Sequence, residues 1–453
     1  MKDLTQGSVT RHILGMAAPI AAGMVFQTLY YLVDLYFVAG LGDTAIAGVS
    51  AAGNATFLVF ALTQVLGVGT VALISHAAGR KDREEATLIF NQSVVLSAVV
   101  GVTSLVGGYA LIGSYMRTVA ADEATVAAGV SYLYWFMPGL ALQFAMVAMS
   151  SALRGTGIVR PTILVQIVTV LLNIVLAPVL IAGWLTGRPL GVAGAGLASS
   201  IAIAAGVVLL GLYFARLETF VTLRRDLWRP QLRSWRRMLG VGLPAGGELV
   251  LMFVYMAFVY WAIRGFGADA QAGYGVGSRI MQAIFLPAMA VAFAAGPVAG
   301  QNFGARHPQR VRATFVAAAW ISTGVMLALT VLMRLEPRWL VAAFTDDVEV
   351  IALGATFLKI ASLNFVAQGL IFTCSSMFQG LGDTRPALLS TGTRLVTFVL
   401  PVVWLSGQPF FRIEHLWYLW VATVTLQALT SLVLLRLQLR SRLPQLAPVV
   451  QPG

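Results

Sequence analysis

Long apolar runs, broken by short turns carrying glycine or arginine, recur along the whole chain. Twelve of them are long enough to cross a bilayer core as a helix, which takes roughly 20 apolar residues. They lie at about 13–40, 45–76, 88–112, 124–152, 161–183, 191–215, 239–264, 270–300, 311–333, 348–377, 386–406 and 414–437. Several exceed the minimum, which predicts tilt or ends that project beyond the lipid. A membrane β-barrel needs short alternating strands, and the chain does not read that way. One run breaks its own pattern. Between Pro19 and Gly42 an otherwise apolar segment holds Asp34, with Gln27, Tyr30 and Tyr31 spaced to share its side of a helix. A carboxylate at membrane depth is costly and commonly faces a partner or a wet cavity.

Composition agrees with this pattern. Only 11% of the 453 residues are charged and mean hydropathy is +0.83, whereas a soluble protein carries charge on about a quarter of its residues. The net charge of +12 reflects orientation rather than nucleic-acid binding. Lys and Arg concentrate at the N-terminus, in even-numbered loops (Arg80, Lys81, Arg83; Arg154, Arg160; Arg306, Arg310, Arg312) and at Arg436, Arg440 and Arg442. Fewer lie in odd-numbered loops (Arg117, Arg188, Arg264, Arg334, Arg338, Arg412). Both termini are therefore expected in the cytoplasm, and the basic loops against anionic lipid head groups. The basic stretch 216–238 reads as a solvated cytoplasmic linker. The single cysteine, Cys374, excludes an intramolecular disulfide. No cleavable signal peptide is expected, because the first apolar run is too long.

Compared with itself, the chain repeats at an offset of 225 residues without gaps. Pro19 meets Pro244; Gly40, Gly42 and Gly48 meet Gly265, Gly267 and Gly273; Gly79 meets Gly304, Gly129 meets Gly354, and Gln143 meets Gln368. SSALRGTGIVRP (Ser150 to Pro161) meets SSMFQGLGDTRP (Ser375 to Pro386). The expected fold is an all-α integral membrane protein of twelve transmembrane helices in two pseudo-symmetric six-helix bundles. Its parts are a first lobe at 1–215, the linker at 216–238, a second lobe at 239–440 and a cytoplasmic tail at 441–453. Six spans per half make the repeats parallel, and the interface of such repeats commonly houses a substrate path. The two GxG–RP loops lack the strand context and GK[ST] ending of phosphate loops and read as tight turns.

Pro19, Gln27, Asp34 and the Gly40–Gly42 turn resemble the first helix of multidrug and toxic compound extrusion (MATE) transporters. GQNFGA (Gly300 to Ala305) and QGLGDTRP (Gln379 to Pro386) are similar to that family's second-half signatures. The resemblance implies an outward pump for amphipathic, often cationic, small molecules, driven by proton or sodium antiport in the bacterial cytoplasmic membrane. It implies no cofactor and no metal, and the pump is expected to act as a monomer. The acid on the first helix is similar to the bacterial DinF-like branch, where that residue binds the coupling cation. By that resemblance the cation site comprises Asp34, Tyr30, Gln27, Asn173 and Ser199. A second acid common in the branch is replaced here by Ala177, which favours a proton over a sodium ion that wants several oxygen ligands.

Other buried charges leave readings open. Asp34 is a proton site or a structural hydrogen-bond anchor. Glu248, aligned with Gly23, is a second titratable group, a helix-packing partner or an ion pair with a buried base. Lys359 and Arg279, counted with it as secondary titratable residues, and Arg394 neutralise it or line a wet path, with structural ion pairs or snorkelling as the plain alternative. Tyr31, Met252, Tyr255 and Met256 are candidates for an adaptable substrate surface, with core or lipid packing as the plain alternative. A flippase for a lipid-like substrate is the second functional reading. An integral-membrane enzyme is the third, and no HExxH, GxSxG or His/Cys metal set supports it.

Overall fold

The computed structural model describes residues 1–120, 122–185 and 187–444, with the side chains of Tyr31, Leu35 and Asn54 outside the description. The expected tail falls largely outside the described residues. The helices are α1 Val9–Ala39, α2 Asp43–Gly79, α3 Arg83–Val119, α4 Glu123–Gly155, α5 Arg160–Ile181, α6 Val192–Arg216 and α7 Leu232–Ile263. They continue with α8 Ala268–Gly304, α9 Pro308–Leu335, α10 Pro337–Ala342, α11 Val348–Ala361, α12 Phe365–Gly380, α13 Arg385–Ser406 and α14 Ile413–Arg442. Among the described residues, twelve helical segments have the length and apolarity to cross a membrane, α11 and α12 counting as one.

That tenth span is broken, which the apolar pattern did not predict. Residues Ser362–Asn364 form a 3-10 turn. The Ser362 hydroxyl donates to the Lys359 carbonyl at 2.8 Å, and the Thr330 hydroxyl donates to the Ser362 carbonyl at 3.2 Å. A side-chain hydroxyl that engages a nearby backbone carbonyl perturbs the helical ladder.

Two compact units divide the chain. The first comprises Met1–Asp3 and Ala22–Gly242, the second Leu4–Ala21 and Leu243–Gly453. Within the first, α4 packs on α2, α3 and α6, and α5 on α6. Within the second, α12 packs on α8, α9 and α14, and α13 on α14. Lipid tails are as apolar as leucine, so helices in a bilayer associate by close packing rather than hydrophobic transfer. Glycines permit that approach at matching places. A Cβ on Gly48 would lie 2.8 Å from the Gly129 nitrogen, and one on Gly273 would lie 3.0 Å from the Gly354 nitrogen. The repeat is written into the turns as well. Left-handed backbone occurs at Gly42 and Gly267 (φ 100° and 93°), at Gly157 and Gly382 (78° and 74°), and at Lys81 and Arg306 (58° and 59°).

The lobe boundaries read from the sequence need correction. Residues 4–21 group with the second unit. The Leu4 N–H donates to Gln301 Oε1 at 3.0 Å, Asn302 Nδ2 donates to the Leu4 carbonyl at 3.2 Å, and Arg310 Nη1 donates to the Gly7 carbonyl at 2.9 Å. Two residues of the GQNFGA motif are thus engaged in anchoring the N-terminal segment. The division falls two residues beyond Pro19, the proline inside α1.

The linker also differs from expectation. Residues 232–238 belong to α7, since nothing between Leu232 and Met238 breaks a helix. The remainder is docked rather than free. The buried Asn91 side chain donates to the Thr222 carbonyl at 2.8 Å and accepts from the Arg224 N–H at 2.9 Å and the Trp228 indole at 3.1 Å. Buried Gln92 donates to the Leu227 and Arg229 carbonyls at 2.7 and 2.8 Å and accepts from the Gln231 N–H at 2.8 Å. Two side chains of α3 thereby supply the hydrogen bonds that an irregular segment cannot make for itself.

Candidate functional site

The first unit gathers polar groups from three helices. From α1, the Tyr30 hydroxyl donates to Ser199 Oγ of α6 at 2.7 Å. From α5, Asn173 Nδ2 lies 3.3 Å from Ser199 Oγ and 3.4 Å from the Tyr30 hydroxyl. Asp34, one helical turn beyond Tyr30, is 8% exposed. Among the described residues, no donor reaches Asp34 Oδ1 or Asn173 Oδ1, although both atoms are buried. Native proteins seldom leave buried acceptors empty, so two here need a reason. Gln27 lies a turn earlier and accepts from Gln166 Nε2 at 2.8 Å. The bare backbone of Gly23 makes room for that reach, since a Cβ there would stand 2.8 Å from Gln166 Oε1.

Sequence reasoning missed the neighbour of Ser199. The Ser200 hydroxyl accepts from the Gly139 N–H at 3.1 Å and donates to the Trp135 carbonyl at 2.6 Å. It bridges a donor and an acceptor four residues apart in α4, next to Pro138, so it maintains the ladder where the proline disturbs it. One serine of the pair faces the Tyr30 cluster and the other supports α4.

Among the described residues, no group of three or more His, Cys, Asp or Glu could hold a metal.

The second unit carries a different cluster. The Glu248 carboxylate of α7 accepts from Ser375 Oγ of α12 at 3.0 Å, with Thr391 of α13 also facing it. Gln427 Nε2 of α14 donates to Thr391 Oγ1 at 3.1 Å, and Gln427 Oε1 accepts from Arg394 Nη1 at 3.3 Å. The Arg394 guanidinium carbon sits 4.1 Å from the centroid of the Tyr255 ring. The charge partners suggested for Glu248 do not meet it. Arg279 and Lys359 are exposed, and the ion pairs among the described residues lie in loops and at helix ends. The substrate-surface candidates are also dispersed. Met252 is 46% exposed, whereas Tyr255 is buried against Phe398, with ring centroids 4.7 Å apart. Met256 receives the Tyr274 hydroxyl at 3.4 Å, and the Tyr31 side chain lies outside the described residues.

A family model described as MatE matches residues 19–179 and 244–405, two stretches that start at the aligned prolines. The probable multidrug resistance protein YpnP of Bacillus subtilis is 25% identical over 392 residues, covering 84% of this chain and 86% of its own. The multidrug export protein MepA of Staphylococcus saprophyticus is 23% identical over 441 residues, covering 97% of this chain and 96% of its own. Among solved structures, a MOP superfamily transporter from Pyrococcus furiosus superposes with a TM-score of 0.90 at 25% identity, over 97% of this chain and 98% of that one. A MATE structure in the bent conformation gives 0.92 at 24% identity, over 98% of each chain.

Proposed function

This chain belongs to the MatE family, and from that premise we infer that it exports amphipathic small molecules from a bacterial cell by proton antiport, with Asp34 as the proton carrier. It is a multi-pass membrane transporter and not an enzyme. Its relatives are named for multidrug export and multidrug resistance, which supports efflux of drug-like compounds, cationic ones included. The distribution of Lys and Arg supports cytoplasmic termini.

The observation that carries the coupling assignment is the buried Asp34 with an acceptor oxygen that no described donor reaches. An ionised carboxylate there holds water or a cation close, because isolated charge in an apolar surround is penalised. Protonation removes the charge, and the helices around it can close onto a neutral side chain. Export then follows an ordered exchange. The empty, ionised site favours a cationic drug; a proton arriving from outside neutralises Asp34 and drug leaves; return to the inward state releases the proton. Tyr30, Asn173 and Ser199 hold the polar end of this site in register, with Gln27 beside them. Pro19, which interrupts the α1 hydrogen-bond ladder, provides a place for that helix to bend. Glu248, held by Ser375, serves as a second titratable group in the second unit.

Separating the two candidate ions tests the reading. Ethidium transport by the purified protein in liposomes is expected under an imposed pH gradient without sodium, and not under a sodium gradient at equal pH. Transport driven by sodium alone overturns proton coupling.

A further inference from the structure

The two repeats can be compared position by position, and at one place they carry opposite charge. Tyr30 of α1 aligns with Tyr255 of α7, and Gln166 of α5 with Thr391 of α13. Around Tyr30 the first repeat places Asp34, whose counterpart is the apolar Val259. Around Tyr255 the second repeat places Arg394, whose counterpart is the neutral Thr169. The same helix cluster is thus built twice, with an acid in the first unit and a base in the second.

Arg394 lies tenth among the 22 residues of α13, near mid-span. Its guanidinium is always charged and offers five donors in a planar fork. The ring of Tyr255 covers one face at 4.1 Å, and Gln427 takes one N–H at 3.3 Å. Both partners are neutral. No carboxylate oxygen of a described residue lies within 4.0 Å of the guanidinium, and Nε has no described acceptor. The nearby acid, Glu248, is engaged by Ser375 instead. The residue is nonetheless partly open rather than sealed. A positive charge within a span, packed on an aromatic ring, lacking an acidic partner and reachable, has the chemistry of an oxyanion receptor.

We propose that Arg394, Tyr255 and Gln427 of the second unit form a binding site for the carboxylate of an amphipathic organic acid or zwitterion, so that the compounds this transporter handles include ones bearing an anionic group. The guanidinium takes the oxyanion, Tyr255 fixes the fork by stacking, and Gln427 sets its orientation. The proposal rests on the export reading only for the direction of travel, because binding alone reports the preference for an anion.

The test uses the full chain in nanodiscs of zwitterionic lipid and a matched pair of probes, 4-phenylbutyrate and the neutral 4-phenylbutanamide, titrated calorimetrically. The wild type is expected to bind the acid at least tenfold more tightly than the amide. Arg394→Gln is expected to abolish that ratio and Arg394→Lys to keep part of it. Equal binding of acid and amide by the wild type overturns the proposal, as does an undiminished ratio in Arg394→Gln. Should the Gln variant fail to fold, the wild-type ratio and the Lys variant decide the matter. In discs of anionic lipid, unchanged affinity supports the soluble acid as occupant. Competition by lipid assigns the anion site to a phosphate head group and overturns the carboxylate as its occupant.

Discussion

Asp34→Asn is expected to lower pH-driven ethidium export at least tenfold and to weaken ethidium binding, because the charge that favours a cation is gone. Asparagine has nearly the shape of aspartate and retains an acceptor oxygen, but it can neither take up nor release a proton. If Asp34 were an anchor for helix packing, the amide would serve almost as well, and transport would survive. If it is the carrier, the cycle stops at the exchange step although the site stays assembled. Tenfold in rate corresponds to about 1.4 kcal/mol, a modest demand on a residue assigned the whole coupling step. The check is a liposome assay with a fixed pH step, paired with equilibrium binding on the same preparation. Full export by the variant contradicts the assignment.

The second large effect is structural. Asn91→Leu is expected to loosen the segment between α6 and α7. The variant withdraws partners from the Thr222 carbonyl, the Arg224 N–H and the Trp228 indole together. Each buried polar group left without a partner costs roughly 1–3 kcal/mol, less whatever water recovers. Three such groups with partial rewetting give a loss of about 2–4 kcal/mol. Trypsin provides the readout, because Arg224 and Arg225 lie in the docked stretch. Wild-type protein should resist cleavage there, and the variant should be cut at least tenfold faster with a lowered melting temperature. Equal cleavage rates contradict the clamp.

These two residues mark how differently features of the chain could be read in advance. Asp34 was legible because one acid inside an apolar run violates the local pattern, and helical spacing then gathered Tyr30 and Gln27 around it. The repeat was legible because it rests on glycines whose conformation few residues can replace; Gly42 and Gly267 adopt matching positive φ values. The grouping of Asn173 and Ser199 with Tyr30 came by family resemblance, since contacts across 143 and 169 residues leave no local periodicity. Asn91 was overlooked for the same reason. Its partners lie 131 to 137 residues away, although three consecutive polar residues, Asn91 to Ser93, at the start of an apolar span were a usable signal. The break at Ser362–Asn364 was not legible, because Ser and Thr elsewhere make the same hydroxyl-to-carbonyl bond inside unbroken helices, Thr70 to Leu66 and Ser97 to Val94 among them. Arg394 reads in the sequence as a partner for an acid or as lining for a wet path; in the structure it stacks on a ring, a choice set by side-chain packing that helix spacing alone does not encode.

The same division has consequences for function. Residues that fasten the N-terminal segment and the α6–α7 connection, such as Asn91, Gln92 and Gln301, are polar groups with protein partners. Asp34 and Asn173 retain acceptor oxygens that no described donor reaches. A membrane protein can tolerate that arrangement where a proton, water or cargo completes the set at some stage of its cycle.

Proton release on drug binding addresses the exchange most directly. Purified protein in weakly buffered detergent solution, with a pH-indicator dye, is titrated with ethidium at a pH where the unloaded carrier holds its proton. The account predicts about one proton released per ethidium bound by the wild type and none by Asp34→Asn. Ethidium binding without proton release in the wild type, or equal release from the variant, would contradict it.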